Sequence, residues 1–137
     1  MKITQEADYG LRVILYLSKL EYGAKVDAST IAAHEVLPLR FLLKLLRKLI
    51  VPGIIRSYRG VNGGYSLNKL PEEITLKDVI EAIDGPICVN RCIVDPEYCN
   101  AKKGSHCEVH RAFEGVQKSL VSELSKVNFK DLKDGKY

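Results

Sequence analysis

Residues 38–67 read PLRFLLKLLRKLIVPGIIRSYRGVNGGYSL, and the succession of leucines, cations and glycines in them decides the fold. Pro38 stands where proline is tolerated, at the first position of a helix that should continue to about Ile50. At about 100° per residue, Leu39, Leu42, Leu43, Leu46 and Leu49 face one way and Arg40, Lys44 and Arg47 the other. Val51-Pro52-Gly53 stops the helix. Ile54–Arg59 is rich in β-formers, Gly60–Gly64 makes a glycine-rich tip, and Tyr65–Asn68 forms a second short strand. The hairpin carries Arg56 and Arg59 at its end and Asn62 in its tip. A helix with a basic outer stripe and a hairpin directly behind it are what a winged helix-turn-helix needs. The helix enters a major groove, and the glycine tip lets Arg59 reach the adjacent minor groove or a phosphate. Gly60–Gly64 lacks both the Walker lysine-serine pair and the G-x-G-x-x-G spacing, so a nucleotide-binding loop is set aside.

Upstream, Thr4 can cap a first helix running to about Leu20. Its opening turn holds Glu6 and Asp8, and Ile3, Ala7, Leu11 and Ile14 recur at helical spacing. After a loop containing Gly23, Asp27 caps a short second helix through Ile31, Ala32 and Ala33, and Glu35-Val36-Leu37 is a tight link to Pro38. The second helix braces the third. Downstream, Thr75-x-x-Asp78 is a capping box, and Leu76, Val79, Ile80 and Ile83 follow as an apolar stripe that Gly85-Pro86 ends. A last long helix carries Val109, Phe113, Val116, Leu120, Leu124 and Val127. That stripe is narrow enough to suggest pairing with a second copy, although packing back on the first helix is the alternative.

Between these helices lie all four cysteines, Cys88, Cys92, Cys99 and Cys107. Ser105-His106-Cys107-Glu108 reads as a second capping box, which places Cys107 and His110 in the first turns of the last helix, on one face, with the positive helix end favouring a thiolate. Asp95-Pro96 favours a turn that brings the remaining cysteines back toward them. A metal site is the reading. Cys88-x3-Cys92 and Cys107-x2-His110 fit zinc spacing, while the six and seven residues separating Cys92, Cys99 and Cys107 suit an iron–sulfur loop equally, so spacing leaves the metal open. Free thiols or a disulfide are the bland alternative. With no signal peptide and no apolar stretch long enough to span a membrane, a reducing cytoplasm is expected, where structural disulfides are rare.

The formal charge of +4 over 137 residues hides an asymmetry. Residues 1–70 hold eleven Lys or Arg against five Asp or Glu; residues 71–137 hold ten against twelve. The basic half is therefore the half to test against nucleic acid, a solvated basic face being the alternative. An enzyme using Cys107 and His110 as nucleophile and base lacks a second acid and an oxyanion pocket, and is not expected.

In this order of elements the chain resembles the Rrf2 family of bacterial transcription regulators over nearly its whole length. The carriers are Met1-Lys2-Ile3-Thr4 with Asp8-Tyr9-Gly10-Leu11-Arg12, the run Arg56–Leu67, and Pro71-Glu72-Glu73-Ile74-Thr75-Leu76 leading to Gly85-Pro86. The resemblance implies a homodimer that binds a palindromic double-stranded DNA operator, with the long helices pairing the subunits. Cys92, Cys99 and Cys107 then correspond to the cluster-ligating cysteines of sensor members. His110 matches the ligand histidine of members that govern iron–sulfur assembly, Asp8 matches the acid that completes the cluster across the dimer in nitric-oxide sensors, and Cys88 is an extra candidate. His110 is favoured. Leu43 stands where some assembly regulators have an acidic residue that separates promoter classes.

The expectation is thus a mainly α chain with a small β-hairpin wing: a winged helix-turn-helix over residues 1–70, and a cysteine-containing sensor loop with a dimerisation helix over residues 71–137. Its expected function is that of a dimeric repressor sensing redox state, nitric oxide or iron–sulfur status through a 2Fe–2S or 4Fe–4S cluster. A structural zinc or a thiol–disulfide switch is the alternative. The DNA-binding residues are Arg40, Lys44, Arg47, Arg56, Arg59 and Asn62.

Overall fold

In the computed structural model, which describes residues 2–137, the five expected α-helices and one two-stranded hairpin follow one another in the expected order, with a sixth helix after them. Met1, part of the opening motif, lies outside the described residues. Thr4 caps α1 (Gln5–Lys19) by accepting the Ala7 N–H at 3.0 Å, and Asp27 caps α2 (Ala28–Glu35) by accepting that of Thr30 at 2.7 Å. The link to α3 turns at Val36, whose φ of 56° is left-handed, and the Leu37 N–H bonds back to the Ala32 carbonyl at 2.9 Å.

The helix α3 spans Leu39–Ile50, so Pro38 is its cap rather than its first residue. Its buried face also differs from the expected one. Leu42, Leu45, Leu46 and Leu49 are fully buried, Leu43 is half-buried, and Leu39 is exposed. The stripe is the i, i+3, i+4, i+7 set that starts one turn into the helix. Leu39, at the entry, projects beyond the body below it. Arg40, Lys44 and Arg47 are all exposed on the opposite side.

Strands β1 (Ile55–Tyr58) and β2 (Gly64–Leu67) pair antiparallel, with Ile55 opposite Leu67 and Tyr58 opposite Gly64. Arg59 falls outside β1, in the turn. Ile54, Ile55 and Leu67 anchor the root of the hairpin in the core. The hairpin is braced from the side: Val26 and Tyr65 exchange N–H···O=C bonds of 2.9 and 2.8 Å. Gly64 is required there, because a Cβ would sit 2.8 Å from the Val26 carbonyl oxygen.

The next helix, α4 (Leu76–Asp84), has the capping box Thr75/Asp78, with bonds of 3.2 and 3.0 Å, and stops at Gly85 with φ 82°. It packs on α1 at Gly10, where any side chain would collide with Ile83. The long helix α5 (Glu108–Lys126) follows, then a short α6 (Phe129–Lys133) that periodicity did not anticipate. Asn128 caps α6 by accepting the Asp131 N–H at 2.9 Å, and Phe129 is fully buried against the same core as α1 and α3. That core draws on residues 7–67 and on residues 74–129 alike.

The expected capping box at Ser105 does not form. Gly104–His106 make a 3-10 turn started by Gly104 at φ 52°, and Cys107, extended at φ −88° and ψ 121°, becomes the α5 N-cap without a side-chain cap bond. The turn already bonds the N–H groups of His106 and Cys107 to the carbonyls of Lys103 and Gly104, at 3.0 and 3.1 Å. Cys107 therefore sits just before the first turn of α5, and His110 sits in it.

Candidate nucleic-acid interface and cysteine cleft

Two surfaces carry the chemistry. The first is the exposed basic face of α3 with the hairpin behind it. Arg40, Lys44 and Arg47 project from α3, and Arg56, Arg59 and Asn62 lie on or at the tip of the hairpin, all exposed. Behind α3, Arg12 donates to the Glu35 carbonyl and lies over Tyr9, whose ring packs edge-on against Phe41 at 5.6 Å between centroids. Lys48 is held between Glu6 at 2.8 Å and the Ile83 carbonyl at 3.3 Å. These contacts fix the angle of α3 to α1, α2 and α4.

The second surface is a cleft of about 680 Å³ between the cysteine loop and the start of α5. Cys92 comes from a 3-10 turn at Arg91–Ile93, Cys99 follows another at Pro96–Tyr98, and Cys107 and His110 come from the entry to α5. All four line the cleft. His110 Nδ1 is 3.3 Å from Cys92 Sγ, and its Nε2 is 3.6 Å from Glu114 Oε1, one helical turn on. Among the described residues no three His, Cys, Asp or Glu side chains lie close enough together to share one ion. Three thiols and an imidazole nevertheless suit an iron–sulfur cluster or a zinc ion in chemical kind. Backbone N–H groups of Lys103 and Ala101 point at Cys99 and hold its thiol below the usual cysteine range.

Cys88 lies elsewhere. It lines a separate apolar cleft with Ile80, Asp84, Leu120 and Leu124, and its thiol donates to the Asn90 carbonyl at 2.9 Å. Asp8 is exposed in the first turn of α1 and does not line the cysteine cleft of its own chain. All four cysteines are free thiols. The sequence reading missed Gln117, whose carboxamide accepts the Val89 N–H at 2.8 Å and donates to the Ile87 carbonyl, fastening the approach to the cysteine loop onto α5. A glutamine seven residues beyond His110, beside an apolar stripe, was the available signal.

Residues 3–135 match the family model of Rrf2, described as an iron-dependent transcriptional regulator. The chain belongs to the Rrf2 family. An HTH-type transcriptional regulator of Mycobacterium tuberculosis is 34% identical over 127 residues, covering 91% of this chain and 78% of the relative. Among solved structures, CymR, the global cysteine regulator of B. subtilis, superposes with a TM-score of 0.75 at 28% identity, over 98% of this chain and 97% of CymR. IscR of T. potens shares the fold with a TM-score of 0.75 at 22% identity, over 100% of this chain and 89% of that one. Rrf2 proteins are transcriptional regulators, not enzymes, and this Rrf2 chain is a DNA-binding regulator with the family's winged-helix architecture. Rrf2 regulators are typically dimeric. No described helix is long and apolar enough to cross a membrane.

Proposed function

We propose that this Rrf2 protein is a homodimeric repressor that reads a palindromic operator and senses redox state, nitric oxide or iron–sulfur supply through a cluster held by Cys92, Cys99, Cys107 and His110. The supporting observation is the cleft: three of four cysteines and the favoured histidine line one space, while Cys88 lines another. Asp8 remains the alternative fourth ligand, contributed across the dimer. The cluster, when bound, supplies iron–sulfide bonds sensitive to oxidants and nitric oxide. The chain's own part is mechanical. Cys92 and Cys99 are on the loop and Cys107 and His110 on α5, so joining them fixes the loop to the helix, and Gln117 fastens the other end of the same segment. Through α5 this sets the separation of two α3 helices that must meet half-sites about 34 Å apart, or a multiple of that. On DNA, Arg40, Lys44 and Arg47 face the major groove from α3, while Arg56, Arg59 and Asn62 act from the wing.

A second reading, a thiol–disulfide switch or structural zinc at Cys88, Cys92, Cys99 and Cys107, draws on the free thiols and the lowered pKa of Cys99. Anaerobic purification with a visible spectrum and iron and acid-labile sulfide analysis separates the two. A brown protein containing both elements supports the cluster, and Cys92→Ala is then expected to bring iron and sulfide to background while circular dichroism stays that of a folded protein. A colourless protein that cannot be reconstituted with iron and sulfide moves the reading to the thiol or zinc switch and leaves DNA binding untouched.

A further inference from the structure

Lys25, in the loop between α1 and α2, places its Nζ 4.2 Å from the centroid of the Tyr58 ring, and the Arg56 guanidinium lies 5.2 Å from the same centroid. Both cations are exposed, and among the described residues neither has a carboxylate at ion-pair distance. The ring is itself positioned: Ser66 Oγ donates to the Tyr58 hydroxyl at 3.3 Å. The loop is positioned too, because the residue after Lys25 is Val26, which exchanges two backbone hydrogen bonds with Tyr65 of β2. Two like charges held at one oriented ring repel each other, and the ring attracts each only modestly. An anion bound by both would offset that repulsion, and the tip of the hairpin, with Arg59, is immediately beyond.

We propose that Lys25 and Arg56, gathered on Tyr58, form a phosphodiester clamp that seats the wing on the DNA backbone, with one jaw supplied by the α1–α2 loop rather than by the wing. The proposal rests on the reading of the hairpin as a DNA-binding wing. The clamp carries no sequence information, so it adds affinity equally on every duplex and fixes how deeply the tip can enter the groove. Arginine at position 25 would still serve it. A neutral residue would not.

The test is fluorescence anisotropy of the full-length protein on a random-sequence 30-base-pair duplex across a KCl series, for wild type, Lys25→Gln, Lys25→Arg, Lys25→Gln/Arg56→Gln, Tyr58→Leu and, as a reference, Arg40→Ala. Each lost phosphate contact lowers the slope of log K against log salt by about 0.9. The expected result is a slope lower by about one contact in Lys25→Gln and about two in the double variant, a slope like wild type in Lys25→Arg, and weaker binding in Tyr58→Leu, which keeps both charges but removes their platform. Melting temperatures report whether each variant folds, and Lys25→Gln, being at an exposed position, decides the matter if Tyr58→Leu does not fold. A wild-type slope in Lys25→Gln with a lowered slope in Arg40→Ala overturns the clamp and leaves the helix-turn-helix reading standing. Wild-type slopes in every variant, or no binding by the wild type, overturn both.

Discussion

Among the described residues, of the eleven lysines and arginines in residues 1–70 only Lys48 has a carboxylate partner, whereas five of the ten in residues 71–137 do: Lys77, Arg91, Lys126, Lys130 and Lys136. Four of those five bridge residues three or four apart on a helix or turn, the short-range arrangement that stabilises a surface locally. The basic half forgoes that stabilisation. Arg40, Lys44 and Arg47 on one helix face and Lys25, Arg56 and Arg59 around one hairpin have no carboxylate partner among the described residues and can exchange counterions for phosphates. Burial contrasts in the opposite sense: α3 sinks four leucines completely into the core, and α5, with nineteen residues, buries none. Within one chain, the half with free charge has a finished apolar face, and the half with paired charge has an unfinished one. Each lacks what a different partner would provide, DNA for the first and, in the homodimer proposed above, a second copy of the chain for the second.

The burial contrast is broken most directly at Val116, which is 53% exposed in the single chain. Val116→Glu is expected to shift the dimer to monomer in sedimentation velocity with little change in the melting temperature of the core; a dimer that persists would move the pairing surface off this stripe. The charge contrast is tested next by Arg59→Ala, expected to weaken binding by about 1 to 3 kcal/mol if the side chain meets a base or a narrow groove. Affinity equal to wild type would take the wing tip out of the interface. Smaller still is the effect of Arg40→Ala or Lys44→Ala, each expected to remove about one phosphate contact from the salt dependence. An unaltered slope would return that face to solvent.

The smallest effect is on stability. Hydrogen bonds from the Thr30 hydroxyl and N–H hold the Asp27 carboxyl below its ordinary range. A carboxylate with a lowered folded pKa contributes fully above the ordinary aspartate range and loses that contribution as pH falls through the folded value, because the unfolded chain takes up the proton first. The melting temperature of Asp27→Asn should therefore fall less than that of wild type between neutral and acid pH; parallel curves would show the cap to be indifferent to charge.

Short-range grammar carried most of the fold. Thr4, Asp27 and Thr75 each cap the helix they announce, because a cap is decided within four residues of chain. The same grammar misled at Ser105-x-x-Glu108, where a glycine in a left-handed conformation turned the backbone before the hydroxyl could act, and it went unused at Asn128-x-x-Asp131, where a short helix offers too little periodicity to notice. In α3 the angular argument found the right side and Leu42, Leu46 and Leu49 but named Leu39 and missed Leu45, since which of those two is covered depends on where the supporting helices lie. Helical spacing paired Cys107 with His110 and the Asp95-Pro96 turn pointed the loop back, but the exile of Cys88 and the company Lys25 keeps were beyond any local rule. Each depends on pairings between distant segments, Val26 with Tyr65 in one case and Gln117 with Ile87 and Val89 in the other.

Thr75 and Asn128 are joined by an isolated bridge, with Leu76 N–H bonded to the Val127 carbonyl at 3.0 Å and Phe129 N–H to that of Ile74 at 3.0 Å. Between them α4 stays in the core through Val79 and Ile83, and the cysteine loop and α5 beyond it form a detour that returns to where α4 began, its ends buttoned together at the body of the protein. Closing a loop costs little more when the loop is lengthened, so a detour of this kind can be rebuilt, extended or given different ligands without asking the rest of the molecule to refold. A segment mounted in this way is a replaceable cartridge, and the button at residues 75 and 128 is its socket.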